Sequence, residues 1–319
     1  MTRTVSVLLW AVLGAAAAGT VAAAPTLEEC RTRSDAGGRL ECYDALPAGP
    51  VDGAGSAPVL EQRLEKERDL ARRAFAILPH RPNYLLYTYN GDPNEAAFQA
   101  LNPDLDLQEQ ELKFQISLRV PVWYGMFDGR ADLWVAYTQV SFWQAFNSAE
   151  SAPFRENNYE PEVGMSVHTD FPVLGLQHKL LAFGLAHQSN GRGDALSRSW
   201  NRAWVAFGLE RENFALVLKP WYRLPENPLD DDNPDIEEYM GRMQVRAGYK
   251  YGDQVFSLLL HNNLRSGDNR SGYELSWSFP YSKRIKGLVQ FFNGYGESMI
   301  DADVRTQRIG IGVLAEDWL

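Results

Sequence analysis

Three polar side chains fall where a nucleophile, a base and an orienting group would stand together. Segment 181–190 runs Leu-Ala-Phe-Gly-Leu-Ala-His-Gln-Ser-Asn. As a strand it puts Leu181, Phe183, Leu185, His187 and Ser189 on one face. In the next segment Ala203, Val205, Phe207 and Leu209 form an apolar row, and Asn201 extends it. If the hairpin turns about residue 194, His187 lies opposite Asn201, with cross-strand Cβ atoms ~4.5–5.5 Å apart. A serine nucleophile needs a base to accept its proton, and the base needs a third group to hold its tautomer. The asparagine carbonyl can do that third job, and a neutral group avoids setting a carboxylate against hydrocarbon. The same three residues also fit an ordinary polar strand end in a headgroup zone. A hydrolase that faces lipid would have lipid as its substrate.

The elements that must carry these residues are strands. From about Tyr84 onward the sequence follows a period of two. Phe114, Ile116, Leu118, Val120 and Val122 alternate with Lys113, Gln115, Ser117 and Arg119. Met243, Val245, Ala247, Tyr249 and Tyr251 alternate with Arg242, Gln244, Arg246 and Lys250. About twelve such segments occur, near 83–90, 112–123, 131–145, 157–168, 178–190, 198–210, 213–223, 239–251, 254–263, 271–279, 285–293 and 305–318. Connections alternate between long (91–111, 146–156, 191–197, 224–238, 264–270, 294–304) and short, as in an outer-membrane barrel. A twisted β-sandwich is the alternative. It would leave the recurring charged row in solvent, whereas a barrel encloses that row and uses strand-end aromatics as girdles. The expected fold is therefore all-β: a transmembrane antiparallel barrel of about twelve strands with a short N-terminal periplasmic extension. The inward Arg and Glu rows predict a salt-bridge network plugging the lumen.

Composition sets outer limits. The chain has 319 residues, 45% of them hydrophobic, and a mean hydropathy of −0.34. Those values exclude a polytopic helical membrane protein, which needs several apolar runs of about 20 residues. With Lys+Arg 31 against Asp+Glu 41, a net charge of −10 makes nucleic acid an unsuitable partner. The start Met1-Thr2-Arg3-Thr4, followed by an Ala/Val/Leu run, describes a signal peptide over 1–23, with Val21 and Ala23 suiting cleavage. A retained anchor helix is the alternative. Cys30 and Cys42 are expected to form a disulfide. Residues 46–58 read as a linker and 59–75 as a charged, solvated helix with one weak apolar face. The expected organisation is a signal peptide (1–23), an extension (24–76) and a barrel (77–319).

The run His187-Gln188-Ser189-Asn190-Gly191-Arg192-Gly193-Asp194-Ala195-Leu196-Ser197-Arg198-Ser199-Trp200-Asn201-Arg202 resembles the signature of bacterial outer membrane phospholipase A. The resemblance spans about 77–319. It includes Tyr137-Thr138-Gln139, Ser141-Phe142-Trp143-Gln144, and Pro153-Phe154-Arg155-Glu156-Asn157-Asn158-Tyr159-Glu160-Pro161. Asp232-Asn233-Pro234-Asp235 and Gly294-Tyr295-Gly296-Glu297-Ser298 complete it. It implies a twelve-stranded barrel in the Gram-negative outer membrane, with the active site toward the outer leaflet. It also implies calcium-dependent hydrolysis of phospholipid and lysophospholipid acyl esters, activated by homodimerisation.

Residue by residue, the resemblance implies Ser189 as nucleophile, His187 as base and Asn201 as orienting residue. Gly191 would supply an oxyanion N–H. Calcium would be held by the Ser197 hydroxyl, the Arg192 carbonyl and Ser151 of the partner subunit, with Asp194 at an alternative position. Gln139 would pair with its own copy across the dimer axis, the alternative being a snorkelling or strand-end residue. The acidic run Asp230-Asp231-Asp232-Asn233-Pro234-Asp235 is expected to be a solvated outer turn. The Cys-bearing segment lies outside the resemblance, and the end Trp318-Leu319 departs from the usual terminal aromatic. A non-catalytic channel or adhesin barrel is the rival function. It would place its informative polar residues in the lumen or loops.

Overall fold

The computed structural model describes residues 27–44, 57–73, 75–99 and 102–319. The expected signal peptide, and most of the expected linker, lie outside the described residues. The chain divides into two units, Met1–Ser56 and Ala57–Leu319. In the first, helices α1 (Leu27–Thr32) and α2 (Ala36–Asp44) are joined by a Cys30–Cys42 disulfide, as the cysteine spacing suggested. Asp35 accepts a hydrogen bond from the Gly38 N–H at the start of α2 (2.5 Å). Both sulfurs are buried in this small unit.

The second unit is a closed antiparallel barrel. After a two-residue strand β1 (Leu78–Pro79) come β2 (Asn83–Tyr89), β3 (Gln110–Gly125), β4 (Ala131–Trp143), β5 (Phe154–Val173), β6 (Leu176–Ser189) and β7 (Ser199–Arg211). Then follow β8 (Phe214–Arg223), β9 (Met243–Tyr251), β10 (Gln254–Asn262), β11 (Ser271–Pro280), β12 (Lys286–Gly294) and β13 (Thr306–Glu316). Each of β2 to β13 pairs with its sequence neighbour, and β13 pairs with β2, closing twelve strands. Among the described residues no helix is long and apolar enough to cross a membrane.

Parity sorts the side chains as the sequence indicated. Leu85, Tyr87, Ile116, Val135, Val163, Phe183, Leu185, Ile309 and Ile311 are exposed on the outside. The inside is buried and charged. Arg81 pairs with Glu160 (2.8 Å) and Glu162 (3.0 Å), and Glu162 also takes Lys219 (2.7 Å). Nearer the outer end, Arg155 and Arg308 both grip Glu111 (2.8 and 2.9 Å), and Arg155 reaches Asp301 in the last outer loop (2.8 Å). Each of these buried charges has an opposite partner, without which burial would be prohibitive. Between the strands Trp134, Gly164, Gly184 and Trp204 lie in one cross-strand line. The two glycines leave room for the indoles to stack at 5.9 Å, and a Cβ on either glycine would strike an indole. The lumen is therefore filled with paired charges and rings, which is not the interior of an open channel.

Three features differ from expectation. Strand β5 continues past residue 168 to Val173, because a bulge between His168 and Phe171 breaks the alternation without ending the pairing. Its hairpin turns on Leu174 and Gly175, both at positive φ (50° and 82°), the backbone of a tight two-residue turn. Strand β9 begins at Met243, since Ile236–Met240 forms a helical turn.

The third difference is the charged helix α3 (Val59–Ala71), which is docked on the barrel unit and not solvated. Val59, Leu60 and Leu64 pack against Ala215 and Trp318. Glu210 on β7 accepts the first N–H groups of the helix, from Leu60 (2.8 Å) and Glu61 (3.1 Å). Charged partners from distant strands complete the docking: Arg119–Glu67 (2.5 Å), Lys179–Glu61 (2.6 Å) and Lys66–Glu316 (2.7 Å). Trp318 serves this interior contact, not the end of a strand.

Candidate active site

The β6–β7 hairpin sets the three polar residues in register. His187 is paired directly with Asn201, and Ser189 with Ser199. The side chains of His187, Ser189 and Asn201 continue the outward apolar rows, and His187 is exposed. His187 Nδ1 and Asn201 Oδ1 are 3.0 Å apart. A carbonyl oxygen can only accept, so Nδ1 carries the proton and Nε2 is left as the basic nitrogen. Ser189 follows His187 at i+2, about 6.6 Å along the strand. Among the described residues its Oγ makes no hydrogen bond, and catalytic hydroxyl–imidazole contacts commonly tighten only with substrate.

The loop after Ser189 is held by one buried side chain. Asn190 Oδ1 accepts from the N–H groups of Arg192 (3.3 Å) and Arg198 (3.0 Å), and its Nδ2 donates to the Leu196 carbonyl (2.8 Å). Gly191 takes φ +64°, and a Cβ there would come 2.9 Å from the Tyr159 ring. The Arg192 guanidinium donates to the Phe154 carbonyl (3.1 Å) and to that of Arg155, and it sits over the Phe98 ring. These contacts tether the residue whose carbonyl is the expected calcium donor. Ser197 Oγ donates to Asp232 Oδ2 (2.6 Å), which also takes Ser199 Oγ (3.4 Å). The acidic run is thus folded against the hairpin and is more than a solvated turn, and Asp231 binds Arg223 (2.6 Å).

Among the described residues no three His, Cys, Asp or Glu side chains cluster as a metal site. The expected donors are hydroxyl and carbonyl oxygens, suited to calcium, which takes oxygen ligands and tolerates neutral ones. Ser197 fits that donor set, with a carboxylate oxygen beside its hydroxyl. Asp194 begins a 3-10 turn, Asp194–Leu196, and its side chain lies outside the described residues. Ser151 is exposed in the β4–β5 loop at φ +60°, away from the triad's own strands.

Gln139 shares the level of Ser189. A single cross-strand line runs Ile116, Gln139, Tyr159, Ser189, Ser199 on the outer face. Two strand spacings, roughly 10 Å, separate Gln139 from Ser189. Gln139 Nε2 donates to Ser141 Oγ (2.9 Å), which donates to Asn157 Oδ1 (2.7 Å).

Sequence reasoning missed three contributors. Asn190 sits on the inner row, where a small polar residue draws no notice. Tyr159 is named only inside a motif, although its register beside Ser189 follows once strands are paired. Glu226, which accepts from Asn201 Nδ2 (2.9 Å), lies in an irregular loop with no periodicity to mark it.

Comparison with known proteins agrees with the barrel fold and gives the family. The family model "Phospholipase A1" matches residues 60–315. The Phospholipase A1 of Klebsiella pneumoniae is 39% identical over 284 residues, covering 87% of this chain and 97% of that protein. Outer membrane phospholipase A from Escherichia coli, solved as an active-site mutant with asparagine changed to alanine, aligns with TM-score 0.74 and 37% identity, covering 79% and 98% of the two chains. The Salmonella typhi outer membrane phospholipase, solved as a dimer with bound calcium, gives TM-score 0.73 and 38% identity, covering 78% and 96%. The channel or adhesin reading is set aside, and the chain belongs to the phospholipase A1 family of outer-membrane β-barrel enzymes.

Proposed function

We propose that this phospholipase hydrolyses acyl esters of phospholipids and lysophospholipids, at either chain position, through Ser189, His187 and Asn201. The reaction would take place at the outer leaflet and be switched on by calcium and dimer formation. The observation that carries the reading is the His187 Nδ1–Asn201 Oδ1 bond, on the outer face and in register beside Ser189. That bond leaves Nε2 free to take the Ser189 proton as Oγ attacks the ester carbonyl. The imidazolium then returns the proton to the departing lysophospholipid or glycerol oxygen, leaving an acyl-serine. Water, deprotonated by His187, releases the fatty acid and restores the hydroxyl. The Gly191 N–H donates to the oxyanion, a role favoured by its position two residues after Ser189 and by its positive φ.

Calcium is proposed as the resident ion, since the Salmonella relative is described with it bound. The Ser197 hydroxyl and Arg192 carbonyl would hold it together with Ser151 of the partner subunit, and Asp194 at an alternative position. When bound, the ion supplies positive charge beside the developing oxyanion. A site shared between copies explains the need for a dimer: a lone subunit lacks a donor and spares its own membrane. The E. coli active-site asparagine mutant supports the role given to Asn201.

The test is fatty-acid and lysophospholipid release by refolded protein, in calcium and then in EDTA, with Ser189→Ala alongside. Release by the wild type in calcium only, and its loss in Ser189→Ala with the barrel intact, is expected. Undiminished release by Ser189→Ala would overturn the assignment.

A further inference from the structure

An asparagine is an ambiguous third member. Its amide presents a carbonyl on one side and an NH2 on the other, and rotation by half a turn exchanges them. With the carbonyl toward His187, Nδ1 is the protonated nitrogen and Nε2 is a base. With the NH2 toward His187, the tautomer reverses, Nε2 carries the proton, and Ser189 loses its acceptor. Something must hold the amide in the first orientation.

Glu226 is placed to do this. Its Oε1 accepts from Asn201 Nδ2 at 2.9 Å, on the side of the amide opposite His187. An ionised carboxylate only accepts, so it can pair with the NH2 and not with the carbonyl. The carboxylate is itself held: its side chain is 16% exposed, and Oε2 lies 4.0 Å from Arg223 Nη2. Arg223 is fixed by Asp231 Oδ1 (2.6 Å) and the Pro234 carbonyl (3.1 Å). The backbone agrees, because Leu224 N–H donates to the Asn201 carbonyl (2.8 Å) and sets the loop beside Asn201 just before Glu226.

We infer that Glu226 is a positioning residue for the reaction, fixing the Asn201 amide so that the His187–Ser189 pair has the right tautomer. The charge it brings adds a second effect. A carboxylate accepting from Nδ2 polarises the amide and strengthens Oδ1 as acceptor of the Nδ1 proton. The neutral asparagine thus borrows negative charge from a carboxylate in the loop after β8, and no carboxylate has to join the lipid-facing row. This inference rests on the triad reading above.

A double-mutant cycle tests it on the calcium-loaded dimer, with kcat and KM measured on detergent-dispersed phospholipid. The set is Glu226→Ala, Glu226→Gln, Asn201→Ala, the Asn201→Ala/Glu226→Ala pair, and Ser189→Ala. A charge-assisted hydrogen bond of this kind is worth about a tenfold rate. Glu226→Ala should therefore lower kcat about tenfold with KM unchanged. Glu226→Gln, which keeps an oxygen in the same place but loses the charge and can itself rotate, should recover only part of that loss. In the Asn201→Ala background, Glu226→Ala should change kcat less than twofold, because its effect runs through Asn201. The inference is overturned if Glu226→Ala keeps full kcat, if the Gln variant is as slow as Ala, or if the loss persists undiminished without Asn201. A fully active Ser189→Ala would instead sink the triad reading, a separate failure visible in the same experiment.

Discussion

At the scale of single residues, the proposed site depends on a position that tolerates no added bulk. The φ of +64° at Gly191 is uncomfortable for any other residue, and a methyl group there meets the Tyr159 ring at 2.9 Å. Gly191→Ala should push the 191–192 peptide away from Ser189 and lower kcat by about a hundred- to a thousandfold, the range of a lost oxyanion donor. Barrel stability should change little, because the loop lies beyond the strands. Heat-modifiability on gels, measured alongside kcat, checks both halves, and a fully active Gly191→Ala would remove Gly191 from the mechanism. The residues themselves were legible in the sequence to different degrees. His187, Ser189 and Asn201 stood out because each interrupts an apolar row, and an interruption of a period is visible without a structure. Asn190 and Glu226 interrupt nothing. One belongs to the inner row where polarity is normal, and the other to the loop Pro225-Glu226-Asn227-Pro228, which has no period to break.

At the scale of elements, strand parity survived because each strand has two different solvents, lipid and lumen. Where that contrast ends, so does legibility. Alternation in strand β5 stops at 168 because its last residues, Thr169-Asp170-Phe171-Pro172-Val173, include a bulge. Helix α3 looks solvated from sequence because its apolar residues are few, and Val59, Leu60 and Leu64 are the ones it buries. Its other contacts are ion pairs with residues far away in sequence, which no local pattern can show. Those ion pairs have a consequence. Burial acts to raise the pKa of Glu67, but Arg119 and Arg63 overcome it and hold the carboxyl down at about 2, from an ordinary 4.5. A carboxyl whose folded value is depressed stabilises docking fully above about pH 4.5. That contribution, on the order of 3 kcal/mol, is lost as the pH falls toward 2. Hydrogen exchange over Val59–Ala71, corrected for intrinsic rates, should therefore speed up between pH 5 and about pH 2. Glu67→Gln should exchange fast throughout and lose the pH dependence. Equal protection of wild type and variant across this range would show that the ion pairs do not hold the helix.

At the scale of the whole molecule, the outer surface carries a polar break that a single barrel in lipid does not explain. Gln139 lies on the lipid-facing row, and an amide in hydrocarbon is costly unless its groups are paired. Within its own chain the pairing is incomplete. Its Nε2 donates to Ser141, but its Oε1 takes only a long bond from Tyr137 OH (3.4 Å). A second copy meeting this face about a two-fold axis would offer its own Gln139 NH2 to that oxygen, and receive the same in return. The cross-strand line from Gln139 through Tyr159 to Ser189 puts such a partner roughly 10 Å from the nucleophile. In the proposed reading it would bring its own outer loop, with Ser151, toward Ser197. If the proposed activation by dimer formation holds, dimer strength and activity are one property measured twice. Membrane-buried side-chain hydrogen bonds are worth about 0.6–2 kcal/mol each, and a two-fold axis makes two of them. Gln139→Ala should therefore raise the dimer dissociation constant in calcium-containing detergent about tenfold by sedimentation equilibrium. Activity should fall in proportion at low protein and recover at high protein, since Ser189, His187 and Asn201 are untouched. An unchanged dissociation constant would exclude Gln139 from the interface, and a loss of activity that high protein does not restore would place its effect on the site itself.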